Sequence, residues 1–153
     1  MNISIPATGH GLGSIFPLLA MLLISLVAMP AHPAWANTPA GFDCTFSAGT
    51  VRTYEGGAFK TQDAAVFTFK IGEINLQSQN ASLITPKGKG DLKIVRAIGA
   101  NHFLEVVTEG FLNITTIYDA AVGTAIYPAV HSRHFGLFGT PVVSQYQGTC
   151  KPR

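Results

Sequence analysis

The chain has 153 residues, 47% hydrophobic and only 12% charged, with ten Lys and Arg against eight Asp and Glu for a net charge of +2 at pH 7. That length holds one domain with a single core, and so balanced a charge lacks the long basic stripe of a nucleic-acid-binding protein. No G-x-S-x-G, H-E-x-x-H or C-x-x-C occurs, so no familiar hydrolytic, zinc-protease or redox signature assigns an activity.

In chain order, residues 1–36 carry no Lys, Arg, Asp or Glu, and Ile15–Met29 is an almost continuous apolar run. A short apolar core followed by small residues at Ala34 and Ala36 predicts a signal peptide cut after Ala36. Pro17 and Pro30 bracket the run and no basic cluster follows it, which argues against an anchor helix. Asp43 beside Cys44 argues against lipidation. Residues 37–153 are therefore expected to form one exported domain, periplasmic or secreted, with no membrane span left after the leader is removed.

The only two cysteines, Cys44 and Cys150, bracket almost all of that domain. In an exported chain such a pair reads as one disulfide, and its geometry requires the first and last segments to be neighbours, within about 7 Å at Cα.

Between the cysteines, period-2 alternation dominates. "AVFTFKI" places Ala65, Phe67, Phe69 and Ile71 on one face. "DLKIVRAI" groups Leu92, Ile94 and Ile98 with Arg96, "HFLEVV" groups Phe103 and Val107 with Glu105, and "FLNITTIY" groups Phe111, Thr115 and Ile117 with Asn113. The intervening "SAG", "EGG", "SQN", "PKGKG", "GAN" and "EG" are turn sequences. "YDAAVG" offers a helical turn at most, and the lysines of "PKGKG" read as a solvated hairpin tip. The expected fold is all-β: an antiparallel meander forming a small barrel of about eight strands, with a two-sheet sandwich as the alternative.

The chemistry-bearing segment is "YPAVHSRHFGLFGTPVVSQYQGTC". On a strand, His131 and Arg133 share one face while His134 turns to the other. This separates the two imidazoles and disfavours a shared metal, so no cofactor is expected. Glu105 and Arg96 each sit among apolar strand companions, and a buried carboxylate needs a partner. Glu105 is expected to find a cation, Arg96 or Arg133, and a polar cluster of Glu105, Arg133 and His131 inside the barrel would orient a small ligand. Asn80 and Asn113 match the glycosylation sequon and read as turn and strand residues.

The order "HFLEV", "NITTIY", "AVHSRH", "SQYQGTC" resembles a family of small exported β proteins of rhizobia-like proteobacteria. The resemblance covers most of the chain after the leader and implies that the cysteine pair, the Glu105 strand and "HSRH" form a signature; it implies no activity. Three functional readings follow. The first is a non-enzymatic binding protein for a small molecule or an envelope protein, using Glu105, His131, Arg133, His134 and Arg96. The second is a metal-dependent or hydrolytic enzyme using His131, His134 and His102. The third is a structural envelope protein without a discrete ligand.

Overall fold

Short runs of β-branched and aromatic residues, alternating with polar ones and separated by tight turns, have no way to bury their apolar face except by pairing edge to edge. In the computed structural model, which describes residues 39–107 and 110–153 and only the backbone of Val106, Val107 and Leu137, they form nine strands. These are β1 (Phe42–Glu55), β2 (Ala58–Asp63), β3 (Phe67–Asn75), β4 (Asn80–Thr85), β5 (Gly88–Ala97), β6 (Ala100–Val107), β7 (Phe111–Tyr118), β8 (Tyr127–Leu137) and β9 (Thr140–Pro152). The expected leader and its cut after Ala36 lie outside the described residues.

All pairings are antiparallel, and β1 also pairs with β9, so β1 and β3–β9 close into an eight-stranded barrel with β2 as an additional strand. The barrel, not the sandwich, is therefore the fold. No described helix is long and apolar enough to cross a membrane.

β2 and β3 are two parts of one return along β1. Thr50 opposes Asp63 in the first and Phe46 opposes Phe67 in the second, which is a single register interrupted at residues 64–66. The Ala64 N–H still donates to the Gly49 carbonyl, 3.0 Å away, across the break. Two expectations change here. "SAG" is not a turn: β1 runs through it, with a bulge between Phe46 and Ala48 that adds bend and twist without ending the strand. Ala65 is exposed and the strand begins only at Phe67.

The core is built from the inward residues of alternate positions. Phe42, Phe46, Ile71, Phe103 and Ile117 are fully buried, each contributing about 1.5–3 kcal/mol relative to an exposed side chain. The seam between β1 and β9 is tight: a Cβ placed on Gly148 would lie 2.0 Å from the Thr45 carbonyl oxygen, so only glycine allows the two backbones to approach this closely. Within that seam Cys44 and Cys150 are directly opposed, Cα to Cα 4.1 Å, and form the disulfide across 106 positions of sequence. In the chain-entropy model a loop of that length is worth about 4.7 kcal/mol. The bond fits an extracellular or periplasmic location.

Strand direction places the β4–β5, β6–β7 and β8–β9 turns at one end of the barrel, together with the projecting β1–β2 hairpin. The candidate site lies at that end.

Candidate ligand site at one end of the barrel

Register, more than sequence proximity, assembles the site. Along the inner face of β6, β7, β8 and β9, one rung reads Phe103, Thr115, His131 and Tyr146. The next rung toward the turn end reads Glu105, Asn113, Arg133 and Ser144, and above it Phe111, Phe135 and Val142 stand opposite one another on β7, β8 and β9. Apolar packing therefore gives way to a carboxylate, an amide and a guanidinium on three consecutive strands, and then to an apolar row again.

His131 lies 5% exposed in an aromatic box, its ring 5.2 Å from Phe67, 5.4 Å from Phe69, 5.7 Å from Phe46 and 6.0 Å from Tyr146. Arg133 Nε–H donates to His131 Nε2 at 3.0 Å. Because a guanidinium only donates, Nε2 is the acceptor and the ring proton sits on Nδ1. That N–H donates to Thr115 Oγ1, 2.8 Å away. Burial, and secondarily the adjacent Arg133 charge, pushes the His131 pKa down from 6.5 to about 3, so the imidazole is neutral at ordinary pH.

Arg133 is positioned from below as well. Its guanidinium carbon lies 4.7 Å from the centre of the Phe67 ring and 5.6 Å from that of Tyr146. Nε is committed to His131, and the two terminal nitrogens make no hydrogen bond to a described residue. Glu105 takes the Asn113 amide, Nδ2 to Oε2 at 2.7 Å. A carboxylate only accepts, which fixes the amide orientation and turns Asn113 Oδ1 the other way, where it is buried without a hydrogen-bond partner. A buried acceptor in that condition costs about 1–3 kcal/mol. Gly90 makes the Glu105 position possible, since a Cβ there would stand 3.0 Å from Oε1.

These side chains border a cavity of about 100 Å³, with Phe67, Leu83, Leu92 and Phe103 as its apolar wall. Larger hollows, of about 530 and 610 Å³, lie outside the barrel against Ile84 and Arg153. Asp43 is matched there by Lys70 at 3.5 Å and Glu73 by Lys89 at 2.5 Å, while Arg153 is in none of the ion pairs among the described residues. The Lys89 and Ser82 contacts hold the exposed Glu73 carboxyl below its usual pKa. The smaller interior cavity is lined by Asn113, whose Oδ1 is one of three buried side-chain atoms without a hydrogen-bond partner among the described residues, with Asn101 Nδ2 and Asp119 Oδ1.

Of the residues singled out from sequence, Glu105, His131 and Arg133 come together. His134 is exposed on the outer face, beside Arg52 and Gln145, and Arg96 is exposed at the far end of its hairpin. The pairing expected between Glu105 and a cation is replaced by the Asn113 amide: the ion pairs among the described residues are Lys60–Glu55, Lys70–Asp43 and Lys89–Glu73. For Arg96 the reason is the two-residue β5–β6 turn, which sets Arg96 opposite Asn101, four positions from Glu105. The same turn leaves Ile98 wholly exposed rather than on the inner face.

His102 donates or accepts at Thr116 Oγ1, 2.9 Å away, outside the cavity lining. No three His, Cys, Asp or Glu among the described residues stand together to hold a metal. Phe135 stacks on Phe111, centroids 5.0 Å apart, while Phe138 is fully exposed. Asn113 and Thr115 join the cluster as hydrogen-bond partners of Glu105 and His131, without having been singled out as candidates from the sequence. The signal was present, an amide and a hydroxyl on the face that Phe111 and Ile117 mark as inward. The Asn113 sequon is set aside by the same fact, because its amide is turned in and hydrogen-bonded.

No protein-family model matches the chain, and no curated protein matches it.

Proposed function

We propose that the protein is a non-enzymatic binding protein of the periplasm or the secreted fraction, which takes up a small polar molecule at the turn end of its barrel. The observation that carries this reading is the rung Glu105, Asn113, Arg133. It presents an acceptor, a buried acceptor without a partner and an uncommitted pair of guanidinium nitrogens on adjacent strands. A protein built only for stability gains more from apolar side chains of similar volume than from such a row. Recognition instead needs pre-positioned polar groups whose partners arrive with the ligand, held by a rigid support. His131 and the Phe67 and Tyr146 rings supply that support to Arg133.

The enzymatic alternative has weaker support, since His131 uses both ring nitrogens structurally and His134 faces away from it. Native mass spectrometry of the protein released from the periplasm tests the proposal. Wild type is expected to carry a retained small molecule that Arg133→Ala loses. A wild-type spectrum showing only the bare polypeptide contradicts it.

A further inference from the structure

We infer that the ligand is a small zwitterion, an α-amino acid with an apolar side chain; this rests on the site proposed above and specifies what fills it. The polar rung is electrically divided. On one side Glu105 Oε1, against Gly90, accepts hydrogen bonds; between the two sides Asn113 Oδ1, turned away from Glu105, is an acceptor without a partner. On the other side the Arg133 terminal nitrogens donate, in the fork geometry that matches a carboxylate.

A simple organic anion satisfies Arg133 but sets its charge beside the Glu105 carboxylate and leaves Asn113 Oδ1 without a donor. A simple amine satisfies the two acceptors but faces the guanidinium. An ammonium and a carboxylate on one carbon answer both halves together: N–H donors go to Glu105 and Asn113, and the carboxylate goes to Arg133. Asn113 lies on the strand between the other two, so the charged partners stand two strand spacings apart, about 9–10 Å at the backbone. Both side chains line the same interior cavity.

The apolar part of the ligand has its own place. Two residues farther along the same faces of β7 and β8, Phe111 and Phe135 stack with centroids 5.0 Å apart, and Phe111 is 39% exposed. A side chain leaving the α-carbon toward the turn end runs onto these rings. The apolar wall is thus split between the closed floor of the cavity and this open rim, and the interior volume of about 100 Å³ suits the head group rather than the whole molecule.

Calorimetric titration decides the matter with phenylalanine and leucine, set against 3-phenylpropionate, which lacks the ammonium, 2-phenylethylamine, which lacks the carboxylate, and glycine, which lacks the apolar part. Phenylalanine or leucine is expected to bind, with 3-phenylpropionate and 2-phenylethylamine each weaker by roughly tenfold to a hundredfold, the usual worth of a charged hydrogen bond, and glycine weaker for want of the apolar contacts. Glu105→Gln retains an acceptor for the Asn113 amide, so it preserves the fold. It should weaken phenylalanine by about tenfold while leaving 3-phenylpropionate unchanged or tighter, a divergence that a merely structural role for Glu105 does not produce.

Equal binding of phenylalanine and either truncated aromatic overturns the inference, as does the absence of binding by both amino acids. If native mass spectrometry meanwhile retains a molecule that is not a zwitterion, the inference falls and the site stands. A bare polypeptide mass removes the site itself.

Discussion

His131 shows how a single residue links the core to the site. It fills a space among four aromatic rings that a phenylalanine would also fill, yet its two nitrogens tie Thr115 on one strand to Arg133 on its own. The same burial makes it acid-sensitive. Its folded pKa, about 3, lies below the unfolded value of 6.5, so the unfolded chain takes up the proton first. Its contribution to stability is whole above the unfolded pKa and is lost as pH falls toward 3, at about 1.4 kcal/mol per pH unit. Denaturant unfolding at pH 7 and at pH 4.5 should differ by about 2–3 kcal/mol more in wild type than in His131→Gln, which has no proton to bind. An equal pH dependence in the two proteins would mean that His131 is solvated. At this scale, alternation alone made the shared face of His131 and Arg133 legible. The Glu105 partner was not legible, because it depends on which residue of a neighbouring strand falls opposite, and charge type suggested a cation where register delivers an amide.

Among the elements, β2 behaves unlike the others. All six of its residues are exposed, and its one sheet partner is the outer half of β1. Its remaining edge is an open ladder of the kind that recruits other chains, and Lys60, Gln62 and Asp63 give it the polar character that discourages this. The Lys60–Glu55 pair, 3.2 Å long with both side chains more than half exposed, adds little stability of its own. Replacing Lys60 and Gln62 by valine should leave the barrel folded but shift the protein to larger species in sedimentation velocity, relative to the parent at equal concentration. Identical sedimentation would show that the edge is protected by something other than its side chains. Alternation alone does not reveal that β2 and β3 share one register along β1, since the exposed Ala65 and Val66 interrupt it between them. Turn chemistry is more faithful at Gly56–Gly57, where a hairpin does form, whereas of "GAN" only Gly99 lies in the turn, with Ile98 before it, and Ala100 and Asn101 belong to β6. "SAG" misled because a bulge and a turn use the same small residues.

For the whole molecule, the decisive constraint is closure. Once Cys44 and Cys150 are bonded, the first and last barrel strands are neighbours, and a meander with joined ends is a barrel. That step was available from two residues and a count of turns, which is why the architecture was more legible than the site. Closure also creates the site: it turns the β6–β9 inner face toward β3, so that Phe67 comes under Arg133 although 66 positions separate them in the chain. On the proposed function the Glu105, Asn113, Arg133 rung is open to a ligand rather than closed on itself. A high-resolution crystal structure of the protein isolated from the periplasm tests it most directly. Density is expected for a small molecule bridging the Arg133 terminal nitrogens and Asn113 Oδ1, with Glu105 still held by the Asn113 amide. A direct Glu105–Arg133 ion pair across the cavity, with nothing bound between them, would contradict it.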